Sequence, residues 1–245
     1  MKTSILISIL ISVMTLQNNF LNDQKKYERV KASIKEKEKI IREELRKNNL
    51  TTDNLNILIT VFKDEKLVHI YAKKISETTY KEILSYPICE VSGELGPKRK
   101  NGDNQVPEGF YYINMFNPNS NFYLSLGINY PNLADKRKSK SKDPGSNIFI
   151  HGSCVTIGCI PMTDDKIKEI YLYAVFARNN GQLKIPVYIF PFEMTHSNFE
   201  KYTSQHTDNK ELIDFWTNLK KGFDKFEKEK KELNISVDSK GNYIY

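Results

Sequence analysis

Apolar residues are spaced differently in different parts of the chain, and each spacing predicts an element. Between Asp23 and Asn49, Tyr27, Val30, Ile34, Ile41 and Leu45 return at intervals near three, four and seven, with Lys and Glu between them. That is the repeat of one helix face. It predicts a charged helix that either packs on the molecule or spaces it from a membrane. From Leu55 the texture changes to short β-branched and aromatic runs. Asn56–Phe62 and Leu67–Ala72, separated by Lys63-Asp64-Glu65-Lys66, predict a hairpin. Further strands are expected at Tyr86–Ser92, where Pro87 marks an edge or a strand start, and at Phe110–Met115, Phe122–Leu126, Asn147–Ile150 and Pro186–Phe190.

Helical spacing returns twice more. Thr163-Asp164-Asp165 reads as a helix start, with acidic residues at the positive end. Ile167, Ile170, Tyr171, Ala174 and Val175 continue it until Asn179-Asn180-Gly181. After Pro191, Leu212, Phe215, Trp216, Leu219, Phe223 and Phe226 form one face of a Lys- and Glu-rich helix. This stripe predicts packing onto the domain in preference to a glycan platform. At the other end, Met1-Lys2-Thr3 precedes the apolar run Ser4–Met14, which gives way to Gln17-Asn18-Asn19. The run is short for a transmembrane helix and has the layout of a secretory signal, cleaved or kept as an anchor. Export to the periplasm or cell envelope is therefore expected, with membrane proximity if the segment is kept. No cysteine lies near it, which argues against a lipoprotein. The expected division is 1–17 signal or anchor, 18–53 charged helix, 54–193 β-rich domain and 194–245 helical extension.

Composition adds little to this. With 245 residues, 39% apolar and 27% charged, the chain is long enough for one sizeable domain and an appendage. A net charge of +7 and a pI near 9.0 favour acidic partners. No nucleic-acid recognition motif accompanies the charge, and nucleic acid is not expected. The basic stretch from Asp135 to Gly145 reads as a solvated loop, or as a cap that attracts carboxylates. His69, His196 and His206 read as structural or surface residues.

One stretch carries chemistry: Phe149-Ile150-His151-Gly152-Ser153-Cys154-Val155-Thr156-Ile157-Gly158-Cys159-Ile160-Pro161. A strand delivers a histidine, a loop with two glycines follows, and a cysteine comes shortly before a helix start. A thiolate is a nucleophile, and a nearby imidazole can take the thiol proton. Gly158 lets a substrate carbonyl approach, and amides around Gly158 and Cys159 could hold an oxyanion. Cys89, Cys154 and Cys159 make an odd number of thiols. Cys89 and Cys154 form a disulfide or stay free, while a nucleophilic Cys159 must be free. No finger-like Cys/His spacing is present, and neither metal nor cofactor is expected.

The run His151–Thr163 resembles the active-site motif of the L,D-transpeptidase (YkuD-type) catalytic domain, and in particular its short-motif, YafK-like branch. Val106-Pro107-Glu108-Gly109-Phe110-Tyr111 resembles that branch's turn before a strand. Asn117–Ser120 and Leu124–Asn132 resemble its substrate-side segment, and Ile189–Met194 its closing strand. The resemblance covers about 55–194. It implies a β-sandwich-like mixed domain; with the N-terminal helix and the helical C-terminal extension read from spacing, the expected fold class is α+β. It also implies acyl transfer on peptidoglycan stem peptides, with Cys159 as nucleophile and His151 as base. Gly158 and Gly152 would belong to the oxyanion site, Ser153 and Thr156 would orient it, and Tyr130 and Asn132 would line the substrate groove. The larger family has a second histidine two positions before the cysteine, where this chain has Ile157, and a longer insert between the two. Hydrolysis of wall peptides or of wall-attached protein on the same scaffold therefore stands as the alternative, and a catalytically dead wall-binding protein as a third reading.

Overall fold

The computed structural model describes residues 19–245; the apolar segment read as signal or anchor lies outside them. The N-terminal region forms two helices, α1 (Asn19–Gln24) and α2 (Glu28–Lys47), broken where Tyr27 takes extended backbone. Among the described residues no helix is long and apolar enough to cross a membrane. The strands are β1 (Asn56–Phe62), β2 (Leu67–Lys73), β3 (Lys81–Pro87), β4 (Gly109–Asn117), β5 (Ser125–Ile128), β6 (Phe149–His151), β7 (Ile160–Pro161) and β8 (Ile185–Phe190). They build one eight-stranded sheet in the order β3-β2-β1-β8-β4-β5-β6-β7. Helix α3 (Leu133–Lys138) follows β5, and α4 (Asp164–Asn179) lies between β7 and β8. Helices α5 (His196–Ser204) and α6 (Lys210–Glu229) end in a small hairpin, β9 (Ser236–Val237) and β10 (Tyr243–Ile244). The class is α+β, as the sequence predicts.

Period-two alternation gives the sheet two apolar faces. In β1, Ile57, Ile59 and Val61 join one core, and Leu58 and Phe62 the other. In β8, Val187 and Ile189 oppose Tyr188 and Phe190 in the same way. The first core is completed by α4 and by Val30, Ile41 and Leu45 of α2. Sandwiched between sheet and α2, α4 is buried nearly all round, from Ile170 to Ala177 without a break. The second core is completed by Phe215, Trp216, Leu219, Phe223 and Phe226 of α6. Burial contributes about 1.5–3 kcal/mol per large apolar side chain, so this stripe supplies on the order of 10 kcal/mol before chain entropy. That is enough to seat the tail on the sheet.

Three local expectations differ from the structure. Residues 88–92 leave the sheet after Pro87, and β3 lies earlier than predicted. Its ladder ends where Leu67 meets Pro87; one further bond, from the Ile88 amide to the Lys66 carbonyl (2.7 Å), follows before the partner strand turns away at Lys66, which sits at φ +57°. Residues 122–124 are not strand, because Tyr123 sits at φ +66°, a conformation that interrupts extended pairing. The basic stretch after Asn132 opens as helix α3, started by a reciprocal cap between Asn132 and Asp135.

Buried charge links these layers. Lys37, within the buried stripe of α2, meets Glu169 (Nζ–Oε1 3.0 Å) and Asp165 (2.5 Å) of α4, and Tyr86 of β3 donates to the other Glu169 oxygen. A second hub centres on Glu108, which is fully buried. Its Oε1 accepts from Lys63 Nζ (2.8 Å) and the Gly96 amide (2.6 Å), and its Oε2 from Trp216 Nε1 (2.9 Å). Glu108→Ala leaves the Lys63 ammonium buried without its counter-charge, and is expected to destabilise the protein by about 3–5 kcal/mol in denaturant unfolding.

Candidate active site

Strands β6 and β7 run parallel, with Ile150 opposite Ile160 and His151 opposite Pro161. Extending that register back by one residue sets Cys159 opposite Phe149. Because successive side chains alternate, His151 projects on the same face as Phe149, and so on the same face as Cys159. Ile150 and Ile160 point the other way, into the core. The pairing thus makes Cys159 and His151 diagonal neighbours on one face.

The loop between them, residues 152–159, is held at several points. Thr163 Oγ1 caps α4 by accepting from the Lys166 amide (3.2 Å). Asp164, first in that helix, accepts the Ser153 N–H (2.9 Å). A Cβ on Gly152 would stand 2.6 Å from that aspartate oxygen and 2.9 Å from the Phe122 carbonyl, so only glycine fits. Gly158 has φ +130°, and a Cβ there would lie 2.9 Å from the Gln105 carbonyl. Cys154 is bonded to Cys89, with their Cα atoms 5.5 Å apart, which ties the loop to the segment after β3. Cys159 is the free thiol.

His151 is buried, and Nδ1 lies 2.5 Å from the Gly152 carbonyl. A carbonyl only accepts, so Nδ1 carries the hydrogen and Nε2 is the basic nitrogen. Burial lowers the imidazole pKa below the ordinary 6.5, against the opposing effect of the Gly152 bond. Burial raises the Cys159 thiol, partly offset by hydrogen bonding at Phe149 and by the charge of Lys98. Both shifts favour the neutral forms, so the resting pair is thiol and imidazole, not thiolate and imidazolium. The Cys159 Sγ lies 3.7 Å from the Asn147 carbonyl. Beside it opens a cleft of about 200 Å³, floored by Val61, Ile88, Val106 and Ile160 and edged by Asp64, Lys66 and Glu90.

The other sequence-predicted residues take varied places. Thr156 lies inside the loop. Its Oγ1 accepts from the Gly158 amide (3.1 Å) and the Cys159 amide (2.9 Å), and donates to the Cys159 carbonyl (2.9 Å). The two amides expected to hold an oxyanion are thus already engaged by a side-chain hydroxyl. Gly152 and Ser153 shape the turn after His151. The Tyr130 hydroxyl donates to the Pro144 carbonyl (2.7 Å), and Asn132 Nδ2 to Phe110 O (3.0 Å) and Tyr243 Oη (2.9 Å). Both side chains pin neighbouring segments, and neither is among the residues lining the cleft beside Cys159. Asp164 and Phe122 were not singled out in the sequence. Asp164 was legible only as a helix-start acid, and nothing in its spacing marks its reach to Ser153. His69 pairs with Glu82, His206 bonds the Tyr202 carbonyl, and His196 lies exposed beside Glu200.

Asp135 gathers the Asn132 cap, the Tyr111 hydroxyl (3.0 Å) and Arg99 (3.3 Å). Burial raises its pKa to about 6 despite Arg99 and these donors. The folded protein therefore holds this proton more tightly than the unfolded chain. The contribution is complete below the ordinary 3.8 and is lost as pH rises to about 6. Unfolding free energy measured across that window is expected to fall by up to roughly 3 kcal/mol from this residue, and Asp135→Asn to flatten the slope. Thr156→Val, which removes the hydroxyl at nearly constant shape, leaves two amides without their acceptor. It is expected to cost about 1–3 kcal/mol and to speed amide hydrogen exchange at Gly158 and Cys159.

Comparison with known proteins identifies the family. The family model of the YkuD L,D-transpeptidase catalytic domain matches residues 56–189. Over 190 residues the chain is 37% identical to "Putative L,D-transpeptidase YafK" of Escherichia coli, in strains K12 and O157:H7, covering 77% of this chain and 73% of that one. Among solved structures, it is similar to the helical cell shape determining protein Pgp2 from Campylobacter jejuni. That match is 22% identical, covers 75% of this chain and 74% of that one, and has a TM-score of 0.43. Bd1075 of Bdellovibrio bacteriovorus is 23% identical over 68% of this chain and 58% of its own, at a TM-score of 0.40. With the family model spanning the sheet from β1 to β8, and with it the loop between His151 and Cys159, the chain belongs to the L,D-transpeptidase catalytic-domain family.

Proposed function

We propose that the chain is an exported cysteine acyl-transferase of the cell envelope, acting on peptidoglycan stem peptides. The observation that supports this reading is the β6–β7 register, which, extended by one residue, puts the free thiol of Cys159 diagonally across from the buried imidazole of His151, with Cys159 lining a cleft. Cys159 Sγ attacks the stem-peptide carbonyl while His151 Nε2 takes the thiol proton. The tetrahedral adduct collapses with cleavage of the C–N bond, and the imidazolium returns its proton to the departing amine, a D-alanine. This leaves a thioester on Cys159. A second amine then attacks the thioester, His151 again moving the proton, and a new amide forms as the thiol is regenerated. An apolar floor edged by Lys66, Asp64 and Glu90 suits a diaminopimelate residue, whose side chain is a short alkyl stem ending in an amine and a carboxylate. The oxyanion needs donors, and the Gly158 and Cys159 amides serve once Thr156 turns its hydroxyl away.

The test is incubation of the protein, with and without Cys159→Ala, with purified muropeptides, read by mass spectrometry. A Cys159-dependent crosslinked dimer, or exchange of the terminal D-amino acid, is expected. Release of D-alanine with water as the acceptor, giving a shortened stem peptide and no crosslink, would replace transfer by hydrolysis. No Cys159-dependent product from muropeptides or wall-linked protein would overturn the enzymatic reading. Because His151 must be neutral to take the proton, kcat/KM is expected to rise with pH to a midpoint below 6.5, the ordinary histidine value, and then to stay level through neutrality.

A further inference from the structure

Phe122 is 41% exposed, and the ring it covers, the imidazole of His151, is 1% exposed. The two rings lie 4.6 Å apart between centroids, inclined by 32°. Among the described residues, His151 is oriented by a hydrogen bond from Nδ1 to the Gly152 carbonyl. A single bond of that kind fixes where Nδ1 points and leaves the ring plane free to tilt about the bond axis. A flat neighbour against the ring face removes that freedom, and with it the wander of Nε2.

Phe122 stands on a turn that the rest of the molecule holds in place. Its amide donates to Ser120 Oγ (3.1 Å), and Tyr123 beyond it sits at φ +66°. Arg29, on α2, donates through one guanidinium nitrogen to the carbonyls of both Ser120 and Tyr123, the latter at 2.7 Å. Its guanidinium also lies 5.6 Å from the centre of the Tyr123 ring. A non-glycine residue in the left-handed region costs on the order of 1 kcal/mol or more, and persists only where its surroundings enforce it. Arg29 supplies that enforcement from a different element.

We propose that Phe122 is a positioning residue for His151, and that Arg29 of the N-terminal helix acts through it by fixing the turn on which Phe122 stands. The proposal rests on the reading of His151 as the base. It gives the charged N-terminal helix a part in the chemistry without contact with substrate. The charged groups around this turn have other partners. Arg29 and Lys168 lie over the Tyr123 ring, and Asp164 accepts from Ser153. Cys159 lies diagonally across the β6–β7 pair. The depression of the His151 pKa comes from burial, which Phe122 helps to supply.

The experiment uses the full chain with Phe122→Ala, Phe122→Tyr and Arg29→Ala, and follows the His151 ring by nuclear magnetic resonance during a pH titration. In Phe122→Ala the midpoint is expected to rise toward 6.5 and the Nδ1–H tautomer to lose its dominance. Phe122→Tyr, which keeps an aromatic plane, is expected to restore both, and Arg29→Ala to shift them in the same direction by less. With muropeptides as the probe, kcat is expected to fall about tenfold or more in Phe122→Ala with KM unchanged. A role in stability alone would lower the melting temperature without moving the titration. A wild-type titration in Phe122→Ala, or equal shifts in the alanine and tyrosine variants, would overturn the proposal. A wild-type titration in folded Arg29→Ala would overturn the part assigned to that residue. The titration reads His151 directly, so absence of muropeptide turnover alongside a shifted titration would count against the proposed function and not against Phe122.

Discussion

The short parallel pairing of β6 with β7 is the constraint on which the candidate site depends. Parallel neighbours ordinarily need a crossover of a dozen or more residues, because the chain must travel back along the full strand before it can run in the same direction again. Here the return is made within residues 152–159. So tight a return leaves many backbone groups to satisfy and little room to do it. The loop answers with a disulfide at Cys154, a carboxylate at Asp164, a hydroxyl at Thr156 and two positions where a Cβ would collide. The same tightness sets a histidine at the end of one strand and a cysteine at the start of the next, on one face.

Around that loop the molecule is layered, and the outer layers matter to the sheet between them. The sheet is apolar on both sides, so it needs helices on both. Helix α4 covers one face and is itself covered by α2; α6 covers the other. Buried charge then fixes how the layers sit. Lys37 links α2 to α4 through Glu169, and Glu108 links the β1–β2 turn to α6 through Lys63 and Trp216. Lys63 and Val106 also line the cleft beside Cys159, so the hub that seats the tail also shapes the wall of the site.

Much of this was legible in the sequence, and what was not has a common cause. The β1–β2 hairpin, α4 with its Thr163 cap, and the aromatic face of α6 follow from local spacing, and local spacing is what sequence displays. His151 and Cys159 were legible because strand, loop and helix start succeed one another within a short stretch. The misplaced strand ends at 88–92 and 122–124 turn on long-range partners. Cys89 bonds a residue 65 positions on, and the turn at Tyr123 is held by an arginine nearly a hundred residues before it. Phe122 was read as strand because its composition is strand-like, and nothing local says that it faces an imidazole. Tyr130 and Asn132 show the reverse case. The resemblance alone set them beside the substrate, and their polar groups bond neighbouring backbone and Tyr243, from parts of the chain that sequence does not place beside them.

The disulfide also bears on how the chain matures. Three thiols can pair in three ways, and only the bond between Cys89 and Cys154 leaves Cys159 free. In an unfolded chain the cheapest loop to close joins Cys154 to Cys159, because loop entropy grows with length, and that bond would leave position 159 without a free thiol. The native choice therefore cannot be made by chain statistics. The native pair is favoured where the end of β3 lies against β7, with the Cys89 amide meeting the Pro161 carbonyl at 3.1 Å, whether the disulfide forms there first or by exchange from another. Tertiary structure acts here as the template for its own crosslink, and the free thiol at Cys159 is the mark that the template was followed.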